Sequence, residues 1–277
     1  MRATMGTAIA AVFTALLALP AWCAEAPVAD RFPGVASAYA VAIDGKLVWA
    51  SNPDQPRQPA SLAKLLAALV LLETDWKPGA EVRVSPGAAG IEGSRIGLKS
   101  GEVLSAADLL TGMLVRSGND ACLALVEYAA GSMTSFAARM NQRAAALGMK
   151  NSHFVHPCGL DAPGQHTTAR DLLLLGGAAR QQQEISRRAA AATAMVRTLG
   201  GRELRFHNSN ALIGRQPDTS GLKSGYTGQA GNCLIATADR NGHQVLLVML
   251  GAPDRWWEAA GIIARGLAVA APGPRLE

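Results

Sequence analysis

Strand-like runs gather at the two ends of this 277-residue chain, and helical periodicity fills the stretch between. Ala36 to Trp49 holds two apolar runs around Asp44-Gly45, a dipeptide that favours a tight hairpin turn. Gly221 to Tyr226, Gly231 to Ala238 and Gln244 to Leu250 are again strand-like, with Asn241-Gly242 turning between the last two. The expected fold is therefore α+β: one antiparallel sheet built from both ends of the chain, flanked by helices, with a mostly helical subdomain inserted between.

The helices are read from period and caps. Pro59 precedes the Leu-rich stretch Ser61 to Leu72, a buried helix. Leu104 to Arg116 follows with Ser105 as its cap, then Asn119 to Ala130. Thr134 to Leu147 is amphipathic and is closed by Gly148, and Thr168 to Arg180 carries the Leu172 to Leu175 run. The last helix, Asp254 to Ala271, places Trp256, Ala260, Ile263 and Leu267 on one face. Packing of that face on the sheet is favoured over a membrane-surface role.

Residues 1–24 read as a secretory signal peptide: Arg2, an apolar run from Ala8 to Leu19, Pro20, then small residues. A buried N-terminal helix is the competing reading. Trp22 and Pro27 leave the cleavage point open. A single catalytic domain is expected over 27–271, with 272–277 as a short tail. Once the signal peptide is removed with Cys23, export places Cys122, Cys158 and Cys233 in an oxidising compartment, where an odd count leaves at least one thiol unpaired. If a bond forms, Cys122–Cys158 is the favoured pair, because Cys233 falls in a predicted central strand. The net charge of +5 is spread without a dense Lys/Arg block, so no nucleic-acid partner is expected. His153, His156, His166, His207 and His243 lack metal-ligand spacing.

Three polar motifs stand in this frame. Ser61 and Lys64 are three residues apart on a predicted helix and share a face. A serine hydroxyl needs a neighbour to take its proton, and a lysine does so only when neutral. Apolar surroundings lower a lysine pKa, and a second cation, for which Lys223 is the candidate, lowers it further. Ser117-Gly118-Asn119 lies at a break between helices. Its plain reading is a helix cap; its chemical reading has Ser117 relay a proton and the Asn119 amide hold a substrate backbone. Lys223-Ser224-Gly225, followed by Tyr226, sits on a strand. There a bare glycine permits close backbone approach, and Lys223 with the Ser224 hydroxyl suits a carboxylate.

In order and spacing these motifs resemble the Ser-x-x-Lys, Ser-x-Asn and Lys-Thr/Ser-Gly set of the penicillin-recognising serine enzymes. The flanks Pro59-Ala60, Leu114-Val115-Arg116, Gly159 to Asp171 and Asn208 to Leu212 resemble the low-molecular-mass penicillin-binding proteins. These are serine D-alanyl-D-alanine peptidases, and the likeness runs from about Val35 to Pro253. It implies the penicillin-binding-protein/serine β-lactamase fold and a cofactor-free, metal-free acyl-enzyme at Ser61. It implies peptidoglycan stem peptides as substrates and β-lactam antibiotics as covalent inhibitors. Backbone N–H groups of Ser61 and Tyr226 would hold the oxyanion. Carboxypeptidase and crosslink-cutting endopeptidase action both remain open. So does a non-catalytic penicillin-binding module. A class A β-lactamase ranks lower, because none of Glu127, Glu184 and Glu203 precedes a Leu-Asn pair. Two departures are Ser224 in place of the usual threonine and the lack of sequence for a C-terminal β domain or membrane anchor. The expected location is periplasmic.

Overall fold

The computed structural model describes residues 28–270; the expected signal peptide and the 272–277 tail lie outside them. The hairpin β1 (Ala38–Ile43) and β2 (Lys46–Ser51) leads through a 3-10 turn, Ala60–Leu62, into α1 (Ala63–Glu73). The middle holds β3 (Glu81–Arg83), α2 (Pro86–Gly90), β4 (Val103–Ser105), α3 (Ala106–Val115), α4 (Asn119–Ala130) and α5 (Met133–Ala146). Next come α6 (Ala169–Gln181), α7 (Gln183–Ala189), β5 (Thr193–Arg197) and β6 (Glu203–His207). The chain finishes with β7 (Thr219–Thr227), β8 (Gly231–Arg240), β9 (His243–Ala252) and α8 (Arg255–Ala270).

The five-stranded sheet has the order β2-β1-β9-β8-β7 and is antiparallel throughout, so both ends of the chain meet in it as expected. Each inner strand is buried on both faces, which is why β1, β8 and β9 read as nearly continuous apolar runs. Tyr39, Val41, Leu234, Ala236, Leu247 and Met249 face one cluster, with Ala259, Ile262, Ile263 and Leu267 of α8. Ala38, Ala40, Ile235, Leu246 and Val248 face the other, with α1 and α6. The α8 face does pack on the sheet. Its centre is Ala259, Ile262 and Ile263, and Trp256 and Ala260 lie at its edge.

α1 is apolar on every side and is buried from Ala63 to Leu71, so it forms the axis around which the other elements pack. Ser105 caps α3 by accepting from Asp108 N, and Thr168 caps α6 by accepting from Asp171 N. The pairs β3–β4 and β5–β6 form two small separate sheets that sequence reasoning did not find. The Cys122–Cys158 disulfide is present, with a Cα–Cα distance of 5.9 Å, and Cys233 is a buried free thiol.

Candidate active site

Ser61 lies in the Ala60–Leu62 turn that leads into the buried axis helix, and its position is set by two glycines on other elements. A Cβ added to Gly225 of edge strand β7 would lie 2.9 Å from Ser61 N and 2.9 Å from the Ala60 Cβ. The close approach foreseen at Gly225 is thus made first by the chain's own Ala60–Leu62 turn. Gly159 is tighter: at φ +81° its added Cβ would fall 1.9 Å from the Ala60 carbonyl oxygen. Ala60 itself is held at φ 48° and Ser117 at φ 64°, backbone conformations that non-glycine residues seldom adopt and that cluster at functional sites. We expect Gly159→Ala to lose more than about 2 kcal/mol of stability, from left-handed backbone and a backbone clash together. Penicillin acylation should slow as Ser61 shifts. Thermal unfolding and acylation rate check this; an unchanged melting temperature would contradict it.

Lys64 is fully buried, and its Nζ lies 2.9 Å from Ser61 Oγ, 2.6 Å from Asn119 Oδ1 and 2.6 Å from the Cys158 carbonyl oxygen. Burial lowers its pKa to about 7, partly opposed by the negative charge of Asp120. A neutral amine has two N–H donors and one lone pair. Asn119 and Cys158 offer acceptors without a proton to give, so they take the two donors. The lone pair then faces the Ser61 hydroxyl, the only one of the three partners that can donate to it. This is the arrangement a general base needs.

Lys223 is buried and does not line the cleft. Sequence reasoning assigned it to lowering the Lys64 pKa and to binding a carboxylate. Burial is the main cause for Lys64, as its apolar surroundings predicted. Lys223 is itself pushed well below the ordinary lysine value by burial, then by Lys64 and Arg255, and the repulsion between the two amines is mutual. Its Nζ donates to the Ser224 carbonyl at 2.8 Å, and the residue is only 1% exposed. The cations that line the cleft are Arg116 and Arg255.

The cleft has a volume of about 490 Å³ and is lined by Ser61, Ser117, Ser209, Ser224, Gly225 and Tyr226, among others. Ser224 Oγ donates toward the Ser209 carbonyl at 3.1 Å, so the hydroxyl kept in place of threonine anchors β7 to the 209 segment. Tyr226 is largely exposed at the rim. Ser117 is buried beside the cleft at the Arg116–Gly118 break.

The cap reading of the second motif does not hold as written. Gly118 is the cap position of α4 and no side chain caps it. Asn119 instead spans two elements, accepting from Lys64 and donating through Nδ2 to the Glu92 carbonyl at 2.7 Å. Asp120 accepts from the backbone N–H groups of Ile96, Gly97 and Leu98, holding the loop that brings Gly93 and Ser94 to the cleft.

Arg255 was not found from sequence. It is half-buried at the start of α8, donates to the Gly225 carbonyl and stacks over Trp256 at 4.4 Å. Burial lowers its pKa. No motif surrounds it; the signal was only a lone arginine after the Pro253-Asp254 turn. Of the three glutamates weighed for a deacylating role, Glu184 pairs with Arg188, and Glu203 pairs with Arg197 and Arg205.

The family described as D-alanyl-D-alanine carboxypeptidase matches residues 26–254. A D-alanyl-D-alanine carboxypeptidase of Bacillus subtilis is 32% identical over 212 residues, covering 75% of this chain and 54% of the relative. One of Escherichia coli is 35% identical over 262 residues, covering 89% of this chain and 64% of the relative. The chain thus spans between half and two-thirds of the length of these curated relatives. Among solved structures, a penicillin-binding protein homolog from Mycobacterium tuberculosis aligns with a TM-score of 0.80 at 29% identity. That alignment covers 92% of this chain and 97% of the other.

Proposed function

Because this chain belongs to the D-alanyl-D-alanine carboxypeptidase family of serine peptidases, we propose that it removes the terminal D-alanine from peptidoglycan stem peptides through an acyl-enzyme at Ser61. The observation that carries this is the Lys64 amine, buried, depressed in pKa and 2.9 Å from the Ser61 hydroxyl.

Neutral Lys64 takes the Ser61 proton as Oγ attacks the carbonyl between two D-alanine residues. The developing oxyanion is assigned to the backbone N–H groups of Ser61 and Tyr226, beside the positive N-terminal end of the Ala60–Leu62 turn and α1. Ser117 relays the proton now on Lys64 to the leaving amine, so that D-alanine departs and Lys64 is neutral again when water arrives. Water then attacks the ester, and the proton it loses returns to Lys64 and then to Ser61 Oγ. The free carboxylate of the substrate meets Arg255 at the cleft wall, a charge-assisted contact that distinguishes a chain end from an internal peptide. Asn119 positions the base and the 92–98 loop. β-Lactams acylate the same serine.

The proposed location is the periplasm. Arg2 with the Ala8–Leu19 run supports export, and the Cys122–Cys158 disulfide fits an oxidising compartment.

Digestion of purified peptidoglycan, with product masses, tests the reaction. Loss of one D-alanine from monomeric muropeptides is the expected result. Loss of crosslinked dimers instead would make the enzyme an endopeptidase, and no change of either kind would make it a penicillin-binding module.

A further inference from the structure

The two acceptors that orient Lys64 lie on different elements, and the disulfide ties those elements together. Asn119 opens α4, and Cys122 is three residues further along it, about one turn. Cys158, which supplies the second acceptor through its own carbonyl, is the other half of the bond. Both cysteines are buried, and they stand 36 positions apart in the chain. The Cys158 peptide is held on its far side too. Gly159 packs on the Ala60 carbonyl, and Cys158 N donates to His156 Nδ1 at 3.2 Å.

We propose that the Cys122–Cys158 disulfide is a positioning element of the reaction: it fixes the spacing between the Asn119 amide and the Cys158 carbonyl, and through them aims the Lys64 lone pair at Ser61. This rests on the acyl-transfer reading given above. Without the bond, α4 and the 156–159 segment are free to separate. The two acceptors then hold the amine less firmly, its lone pair wanders from the serine, and acylation slows.

The two acceptors also favour the ammonium form, since hydrogen bonds to a charged group stabilise it. Loosening them therefore lowers the pH at which Lys64 becomes neutral. The signature is a double one, a lower plateau of the acylation rate and a midpoint displaced to lower pH. General loss of stability would not move the midpoint.

The test compares the oxidised chain with Cys122→Ala/Cys158→Ala, which retains the Cys158 backbone carbonyl. Acylation by a fluorescent penicillin is followed from pH 5.5 to about 9, a span chosen to bracket a lysine titrating near neutrality. The expected result is a plateau about tenfold lower, in keeping with a small displacement of a catalytic group. The midpoint should fall by about half a pH unit. Ile262→Ala, on the far face of the sheet, serves as a destabilised control and should keep both plateau and midpoint. If the double variant does not fold, the dithiol form of the unmodified chain replaces it. That form is identified by two more titratable thiols after denaturation than the oxidised form shows.

Identical plateau and midpoint with and without the bond would overturn the proposal. So would the same changes in Ile262→Ala, or failure of both disulfide-free forms to fold. Absence of labelling in the oxidised chain itself would instead overturn the acyl-enzyme reading.

Discussion

Ser61→Ala should abolish covalent labelling by penicillin and reduce D-alanine release by about a millionfold, the loss seen when a serine peptidase loses its nucleophile. The methyl group fits where the hydroxyl stood. Lys64 keeps its bonds to Asn119 and Cys158, so the fold should change by less than about 0.5 kcal/mol. Intact-mass measurement after incubation with a β-lactam gives a direct reading. The unmodified protein gains the mass of one inhibitor, and the variant gains none. A variant that still acquires one adduct would move the nucleophile to another residue, Ser117 being the nearest hydroxyl at the second motif.

Lys64→Gln should lower the acylation rate between about a hundredfold and ten-thousandfold, the range for removing a general base. Glutamine can still donate to Asn119 and the Cys158 carbonyl, but its amide is not basic. In the unmodified enzyme the rate should follow the neutral fraction of Lys64. Its pKa of about 7 makes the rate rise with pH, pass half-maximum near neutrality and level off above it. Stopped-flow acylation between pH 6 and 9 checks the sign. A flat profile, or one that falls with pH, would remove Lys64 from the role of base. The same titration should be missing from the residual activity of Lys64→Gln.

Much of this site was readable from residues alone, for reasons that differ by residue. Ser61 and Lys64 were legible because helix spacing fixes their relative direction and because a lysine among Leu62, Leu65 and Leu66 has no solvent to reach. The main sheet was legible because strands buried on both faces leave unbroken apolar runs. The β5–β6 hairpin was not: its residues are half exposed and their pattern is weak, so its pairing depends on placement beside α3 rather than on its own sequence.

That Lys223 is buried while Arg255 lines the cleft was not legible, because spacing along the chain does not say which cation reaches the cleft. Arg255 and Asp120 were missed for a related reason. Each acts across long sequence distances, on Gly225 and on the 96–98 loop, and neither carries a local pattern. The helix-cap reading of Asn119 failed because local chemistry was outweighed by a tertiary partner, Lys64.

The two interior lysines have a consequence for the whole molecule, through thermodynamic linkage. In the unfolded chain each amine holds its proton up to about pH 10.4, the ordinary lysine value. In the native state Lys64 holds its proton only up to about 7, and Lys223 is depressed as well. Between those limits the unfolded chain binds more protons than the native one, so stability rises with pH across the window. Below neutrality Lys64's share of that gain is gone. Folding at mildly alkaline pH therefore expels protons, up to one per buried amine. The molecule spends part of its own cohesion to keep a base unprotonated, so acidification weakens its catalysis and its fold together.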